Sequence, residues 1–156
     1  MIDIRKIKNG YWWKATEKFE SLINNEEKLL EMTMQITDRC NMKCLKCNKI
    51  NFTNKDMPKD KIILIIDQAY ELGLKHIHFT GGEVTLHKDF PYIIEYCSCK
   101  GLRVDASSNG KFSKELGKKM VKAGINSINI SWDSIDKPPE CIDFIFDLGI
   151  DVFINH

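Results

Sequence analysis

Three cysteines lie close together in the segment RCNMKCLKC, at Cys40, Cys44 and Cys47. They follow a short β-like run at residues 34–37, and their C-x3-C-x2-C spacing lets three thiolates approach one point. A [4Fe–4S] cluster has four irons and is usually held by four Cys thiolates. A loop with three cysteines would therefore leave one iron open to a ligand that the protein does not supply, and an open iron can do chemistry.

A zinc site is the main alternative for these thiols, because zinc also accepts thiolates and closes a structural site with a fourth ligand. The other side chains that could serve as that ligand are Cys97, Cys99, Cys141, His76, His78 and His87. Zinc fingers more often combine a C-x2-C pair with a second, distant pair, and the sequence has no second pair of that spacing. The spacing favours iron–sulfur and leaves zinc and unligated thiols open.

The composition is that of one globular domain. The chain has 156 residues, 43% of them hydrophobic, and charges of both signs that sum to +1. So small a net charge gives no strong field for a nucleic-acid backbone. Residues 1–20 carry charges throughout and contain no apolar run, which predicts neither a signal peptide nor a membrane span. We therefore expect a cytosolic protein with no nucleic-acid or membrane partner, whose cysteines are metal ligands or buried thiols rather than disulfides.

Four segments repeat one plan, in which a helical stretch ends at a glycine and an apolar strand follows. The glycines expected to end the helices in a left-handed conformation are Gly73, Gly101, Gly124 and Gly149. The strand centres lie near Ile77, Val104, Ile128 and Val152, which are 27, 24 and 24 residues apart. Helical spacing of apolar residues marks helices over residues 62–69, 90–97, 116–123 and 142–148, the last behind Pro138 and Pro139. This period is typical of a βα unit.

Strands that are joined by single helices run parallel, because each crossover returns the chain to the same end of the sheet. The sequence therefore predicts an α/β fold, a partial (β/α) TIM-like barrel of about five parallel strands. Residues 33–156 would form this core. Residues 1–32 would form an N-terminal helical extension, in which the adjacent Trp12 and Trp13 cannot share one helix face.

Distinctive polar residues follow the predicted strands at their carboxyl ends, the edge where parallel α/β folds bind ligands. After the cysteine loop, these motifs are Gly81-Gly82-Glu83, then Ser107-Ser108-Asn109-Gly110, then Ser131 and Asp133. Each motif alone is most simply a turn or a helix cap. Their joint position at one rim favours a shared ligand site.

The order of these motifs resembles the radical SAM superfamily over residues 33–156. The resemblance implies that the three cysteines bind three irons of a [4Fe–4S] cluster, and that S-adenosylmethionine chelates the fourth iron through its amino and carboxylate groups. The further contacts that it implies are Gly81, Gly82 and Glu83 to the methionine amino group, Ser108 and Asn109 to the carboxylate, and Ser131 and Asp133 to the ribose hydroxyls.

The resemblance also implies an activity. One electron from the cluster would cleave S-adenosylmethionine, and the resulting 5′-deoxyadenosyl radical would abstract hydrogen from a substrate that the sequence does not reveal. The electron would come from a reductant of the flavodoxin or ferredoxin type. The alternative function is a truncated or non-catalytic metal-binding module, with iron–sulfur or zinc, that serves structure or interaction.

Basic residues interleave the cysteines, at Arg39, Lys43 and Lys46. Because a cluster held by thiolates is negatively charged, nearby cations ease its reduction. A solvated rim of cations without a tuning role is an equally simple interpretation.

The chain departs from the family pattern at three points. Val84 stands where a proline commonly follows the Gly-Gly-Glu motif, and Leu45 and Lys46 stand where an aromatic residue commonly precedes the third cysteine. The core also stops after a fifth strand, whereas barrels of the family usually have six. We expect a fragment, a minimal member, or a barrel that a partner subunit completes.

Overall fold

The computed structural model describes residues 29–44, 47, 53–132 and 138–155. Most of the expected N-terminal extension, including Trp12 and Trp13, lies outside these residues. Lys46 and Asp133 lie outside them as well. The division of the chain at residue 32 stays a prediction.

Five parallel strands form one sheet in the described part of the chain. They are β1 (Glu31–Thr37), β2 (His76–Gly81), β3 (Arg103–Ser108), β4 (Ser127–Ser131) and β5 (Asp151–Asn155). Their order in the sheet follows the sequence, β1-β2-β3-β4-β5, and each neighbouring pair is parallel. This confirms the predicted α/β class and strand series. β1 begins earlier than the expected run at residues 34–37, because Glu31 already pairs with His76.

A helix lies in each connection between consecutive strands. These helices are α1 (Lys59–Glu71), α2 (Phe90–Cys99), α3 (Lys114–Ala123) and α4 (Ile142–Ile145). α4 is shorter than the predicted helix and continues as a 3-10 turn over Phe146–Leu148. Just before α4, Cys141 donates its backbone N–H to the carbonyl of Gly110 at 3.0 Å. The segment behind the two prolines is therefore tied to the loop after β3 before the helix begins.

The glycines predicted to end the helices all have positive φ. The angles are 101° at Gly73, 74° at Gly101, 96° at Gly124 and 73° at Gly149. Residues with a Cβ are strained in this region of backbone space, whereas glycine is not. The predicted helix ends are confirmed at all four positions.

The helices and one face of the sheet enclose the apolar core. Alternate strand residues point into it, among them Ile36, Phe79 and Ile128, which are fully buried. The ring of Phe79 meets that of Phe90 edge to face, with centroids 5.7 Å apart. The residues that α2 buries are those its periodicity predicted: Phe90, Ile93, Ile94 and Cys97. Because burial of apolar surface is the main stabilising term in folding, this packing sets the position of every strand end.

The other face of the sheet is largely polar. His76 bridges two carboxylates there, with its Nδ1 2.8 Å from Oε1 of Glu31 and its Nε2 2.6 Å from Oδ2 of Asp105. Burial acts to lower the pKa of His76, but the hydrogen bond to Asp105 and the charges of Asp105 and Glu31 outweigh it and raise that pKa. This network ties three neighbouring strands together at the end of the sheet opposite the cysteine loop.

Candidate functional site

The backbone after β2 is fastened to the entrance of the cysteine loop. Gly82 donates its N–H to the carbonyl of Thr37 at 2.9 Å, and Glu83 donates its N–H to the carbonyl of Arg39 at 2.7 Å. A Cβ on Gly82 would lie 2.1 Å from the carbonyl oxygen of Arg39. The family resemblance implies that this glycine contacts the methionine amino group, and that contact stays a prediction. In the structure the nearest neighbour is the chain's own backbone, so glycine is required there for the two loops to meet.

Two aspartates hold the base of the cysteine loop. Asp56 accepts hydrogen bonds from Oγ1 of Thr37 at 2.6 Å and from Arg39 at 3.0 Å. Burial acts to raise the pKa of Asp56, but these two hydrogen bonds and nearby positive charge lower it overall. Asp38 accepts from the backbone of Lys55 at 2.6 Å and from Thr53. The chain is therefore pinned where it leaves β1 and where it returns toward α1.

The sequence left two interpretations of Arg39 open, a cation that eases reduction and a solvated rim residue without a tuning role. Its guanidinium instead points to the base of the loop, where it pairs with Asp56 and also donates to the carbonyl of Leu86 at 3.2 Å. The structure therefore gives Arg39 an anchoring role. Of the other two interleaved cations, Lys43 is exposed, and Lys46 lies outside the described residues.

The three thiols differ in exposure. Cys40 and Cys44 are partly buried and Cys47 is exposed, and the backbone N–H of Cys47 donates to the carbonyl of Cys44 at 3.2 Å. Among the residues that the structure describes, no three Cys, His, Asp or Glu side chains are grouped as ligands of a metal ion. The thiols thus share one loop and one rim without being drawn together round a single point.

The carboxylate of Glu83 connects the loops after β2 and β3. It is 1% exposed and accepts from Oγ of Ser108 at 2.8 Å, from the backbone N–H of Asn109 at 2.7 Å and from Oγ1 of Thr85 at 2.6 Å. Burial without such partners would be costly for a charged group. The family resemblance implies that Glu83 also contacts the methionine amino group, and this contact stays a prediction. The structure shows a carboxylate that is engaged with the neighbouring loop.

Asn109 reaches from the loop after β3 to the cysteine loop. Its Nδ2 donates to Oδ1 of Asn41 at 2.7 Å and lies 3.9 Å from Sγ of Cys40, while its Oδ1 accepts from the backbone of Lys111 at 2.9 Å. Together with Glu83, this side chain completes a connected path from the cysteine loop through the loops after β2 and β3. The three motifs that the sequence placed at one rim are in mutual contact.

The fourth motif lies farther along the rim. Ser131 is exposed at the end of β4, where it pairs in register with Asn155 of β5. β3 separates it from the Gly-Gly-Glu loop that follows β2. Its expected companion Asp133 lies outside the described residues, so the ribose contacts of this motif stay a prediction.

Four of the six candidate fourth ligands for zinc are bonded or buried elsewhere. His76 lies in the network with Glu31 and Asp105, and Nε2 of His87 is bonded to the carbonyl of Met57 at 2.9 Å. Cys97 and Cys141 are buried in the core. These positions favour the iron–sulfur interpretation of the cysteine loop over a closed zinc site.

Sequence reasoning missed the residues that support the site from outside its motifs. Asp56 lies after the third cysteine of the loop in a stretch without periodic pattern, and Asn41 and Thr85 are single polar residues inside short loops. Their roles depend on which loops meet in space. The signal that could have found Thr85 is its place just after Glu83, since a hydroxyl two residues beyond a carboxylate can bond it locally.

Comparisons with known proteins agree with this geometry. The radical SAM superfamily matches residues 34–150. GTP 3′,8-cyclase of Psychromonas ingrahamii is 35% identical over 130 residues, which are 79% of this chain and 38% of that protein. Fe-coproporphyrin III synthase of Methanosarcina barkeri is 32% identical over 116 residues, which are 71% of this chain and 29% of that protein.

A solved structure shows the same fold. SuiB of Streptococcus suis, crystallised with S-adenosylmethionine, superposes with a TM-score of 0.70 at 20% identity, over 91% of this chain and 37% of SuiB.

The five strands and their helices are a partial (β/α) barrel. The chain belongs to the radical SAM superfamily. It spans well under half the length of the curated relatives that it matches. Of the helices that the structure describes, none has both the length and the apolar character needed to cross a membrane.

The cofactors of this superfamily are a [4Fe–4S] cluster and S-adenosylmethionine, and membership assigns both to the chain. The residues at the rim fit them chemically. One loop supplies three thiols, the soft sulfur donors that iron–sulfur clusters take. The amide of Asn109 faces one of these thiols, and hydrogen bonds to ligand sulfurs are a usual part of such sites.

Proposed function

We propose that this chain is the cofactor-binding part of a radical SAM enzyme, in which Cys40, Cys44 and Cys47 hold a [4Fe–4S] cluster and S-adenosylmethionine binds beside it. The observation that supports the proposal is the connection from Cys40 through Asn109 to Glu83. It joins motifs from three separate strands at the rim where parallel α/β folds bind ligands.

The chain's own residues would orient the two cofactors. When bound, the reduced cluster supplies one electron that cleaves S-adenosylmethionine into methionine and a 5′-deoxyadenosyl radical. Glu83 holds Ser108 and Asn109 in place, and these two residues would meet the methionine carboxylate. The backbone at Gly81 and Gly82 would meet the amino group, and Ser131 and Asp133 would meet the ribose. Glu83 would thus act on the ligand mainly through the loop that it positions.

The substrate and the reaction after radical formation are not carried over from the relatives. The two relatives described above have nearly equal identity to this chain and carry the names of different enzymes. We propose a reductant of the flavodoxin or ferredoxin type, since a one-electron donor is required. The cytosolic location stays a prediction from the sequence.

Anaerobic reconstitution with iron and sulfide tests the cluster. The parent chain should turn brown and absorb broadly at about 400 nm, with about four irons per chain. The Cys40→Ser variant should lose most of this iron. Cys99→Ser is the matched control, because Cys99 is exposed on α2 and outside the loop, and it should load as the parent does.

S-adenosylmethionine cleavage tests the activity. Dithionite with S-adenosylmethionine should release 5′-deoxyadenosine from the loaded parent and from Cys99→Ser, and not from Cys40→Ser. A colourless protein that retains zinc would contradict the proposal. A brown protein that never releases 5′-deoxyadenosine would favour a structural iron–sulfur module instead.

A further inference from the structure

A strong concentration of positive charge lies outside the candidate site, on α3 and the residues just before it. Residues 111–122 contain five lysines and one glutamate, a net charge of +4, whereas the whole chain carries +1. The rest of the chain therefore sums to −3. A local excess of one sign raises the local concentration of partners of the opposite sign.

We call these lysines the basic face: Lys111, Lys114, Lys118, Lys119 and Lys122. All five are exposed. None takes part in the ion pairs or ring contacts found within the described ranges. Lysines elsewhere do have partners: Lys100 pairs with Asp67 at 2.8 Å, and Lys59 lies over the ring of Tyr92. The basic face thus presents its ammonium groups to the solvent.

The basic face borders a groove. Lys114, Lys118 and Lys122 follow one another by one turn of α3 over about 12 Å. They line a groove of about 480 Å³ whose other lining residues include Leu148 and the single acid Asp147. Like charges four residues apart oppose each other on a helix. A row of three such lysines is unfavourable for the helix itself, and an acidic partner would relieve it.

The basic face begins beside the thiols. The backbone of Lys111 donates to the side chain of Asn109, whose amide lies 3.9 Å from Sγ of Cys40. On the other side of this contact, exposed Lys43 lies two residues beyond Asn41, the hydrogen-bond partner of Asn109. Positive charge therefore begins at the rim beside the cysteine loop and continues along α3, which runs from this rim toward the other end of the sheet because β3 and β4 are parallel.

We propose that the basic face is the docking surface for an acidic one-electron carrier protein of the flavodoxin or ferredoxin class. The inference rests on the proposed function, because the carrier would deliver its electron to the cluster. Only one electron passes: the carrier is oxidised, the cluster is reduced, and no bond forms. Complementary charge would speed association and orient the carrier toward the Cys40 end of the face. Phosphates of a nucleic acid would also suit these lysines, but the face begins at Lys111, whose backbone is bonded to the side chain that approaches Cys40, and this closeness to the thiols favours an electron carrier.

Two double charge-reversal variants test the basic face in a binding measurement. The Lys114→Glu/Lys118→Glu variant is compared with Lys61→Glu/Lys75→Glu, which changes the charge equally at two exposed lysines away from α3. The probe is an oxidised flavodoxin of strongly negative net charge, titrated by calorimetry at low and high salt. Reversal on the basic face should weaken binding at low salt by about tenfold. The control should stay within about twofold of the parent, and added salt should weaken parent binding.

A second measurement follows electron delivery to the reconstituted cluster by stopped-flow absorbance. Reduction by reduced flavodoxin should slow in the basic-face variant and not in the control. Reduction by dithionite, which needs no docking surface, should be the same in both. Circular dichroism and urea unfolding should show that both variants are folded.

Several results would overturn the inference. Flavodoxin binding that is unchanged in the basic-face variant would do so, as would an equal loss in both variants. Tighter binding of single-stranded RNA than of flavodoxin, lost in the basic-face variant, would reassign the surface to nucleic acid. Failure of the proposed function would look different, since no variant would then acquire a cluster, while the binding titration would still report on the surface.

Discussion

The carboxylate of Glu83 accepts the backbone N–H of Asn109 at 2.7 Å, and this bond joins the loop after β2 to the loop after β3. Glu83 is buried, so the bond forms away from competing water. Asn109, whose side-chain amide approaches the Cys40 thiol, is therefore held in place by the carboxylate of Glu83, which follows the neighbouring strand. The arrangement of the loops at this rim therefore depends on the hydrogen bond between Glu83 and Asn109 as well as on the cysteine loop.

Replacing Glu83 by glutamine should destabilise the fold. The amide removes the charge and places N–H groups where Ser108, Thr85 and Asn109 already donate. A hydrogen bond to a charged group contributes about 2 kcal/mol, so we expect a loss of at least that order in the free energy of unfolding. Urea unfolding measures the change. Glu95→Gln, at an exposed position on α2, should leave the free energy within about 0.5 kcal/mol of the parent. Equal midpoints for both variants would contradict the role of Glu83.

Alanine at Gly82 should be more harmful than alanine at a glycine that only ends a helix. The new Cβ at position 82 would meet the backbone of Arg39, whereas a Cβ on Gly149 would meet no atom within 4 Å. Gly149→Ala still carries a positive φ of 73°, a strain of about 1 kcal/mol. Gly82→Ala should exceed this value and should also reduce iron loading. Urea unfolding and iron analysis of both variants provide the comparison, and equal losses would argue against the close approach of the two loops.

His76 and His78 should have opposite effects on the pH dependence of stability. The pKa of His76 is raised above 6.5 by Asp105 and Glu31 against the effect of burial. Its contribution is therefore fully present below about pH 6.5 and is lost as the pH rises through the raised value. Burial lowers the pKa of His78. The unfolded chain then takes up that proton more readily, so stability from this residue is lost as the pH falls below about 6.5.

Urea unfolding between about pH 5 and about pH 8 separates the two histidines. The free energy of unfolding of the His76→Gln variant should no longer fall as the pH rises, but it should still fall as the pH is lowered. The His78→Gln variant should show the reverse. Identical profiles in the parent and both variants would mean that neither histidine changes its proton affinity on folding.

Thiol labelling should divide the cysteines into two groups. Burial raises the pKa of Cys97 to about 12 and that of Cys141 to about 11. A thiol reacts as its thiolate, so both should resist iodoacetamide in the native metal-free protein and react only in urea. Cys99 and Cys47 are exposed and should react at once. Peptide mass spectrometry reads the result, and rapid native labelling of Cys97 would contradict its place in the core.

The sequence predicted the regular parts of this fold because their signals are local. The apolar spacing of α2 gave its buried face, and glycines such as Gly73 marked where helices end. The rim motifs were found for the same reason, since each directly follows a strand. The direction of the Glu83 carboxylate could not be predicted, because it depends on Ser108 and Asn109, which approach only when β2 and β3 pair. Asp56 escaped notice because its partners Thr37 and Arg39 lie on the far side of the cysteine loop.

Gly110 accepts a hydrogen bond from the backbone of Cys141, and Pro139 lies against the same glycine. The turn that carries Asn109 is thus buttressed by a segment made about thirty residues later in synthesis. While the chain is being translated, the strands up to β3 can pair first. The turn beside the thiols acquires its support only after Cys141 has left the ribosome, so cluster insertion into a stable loop should be a late event in the maturation of the protein.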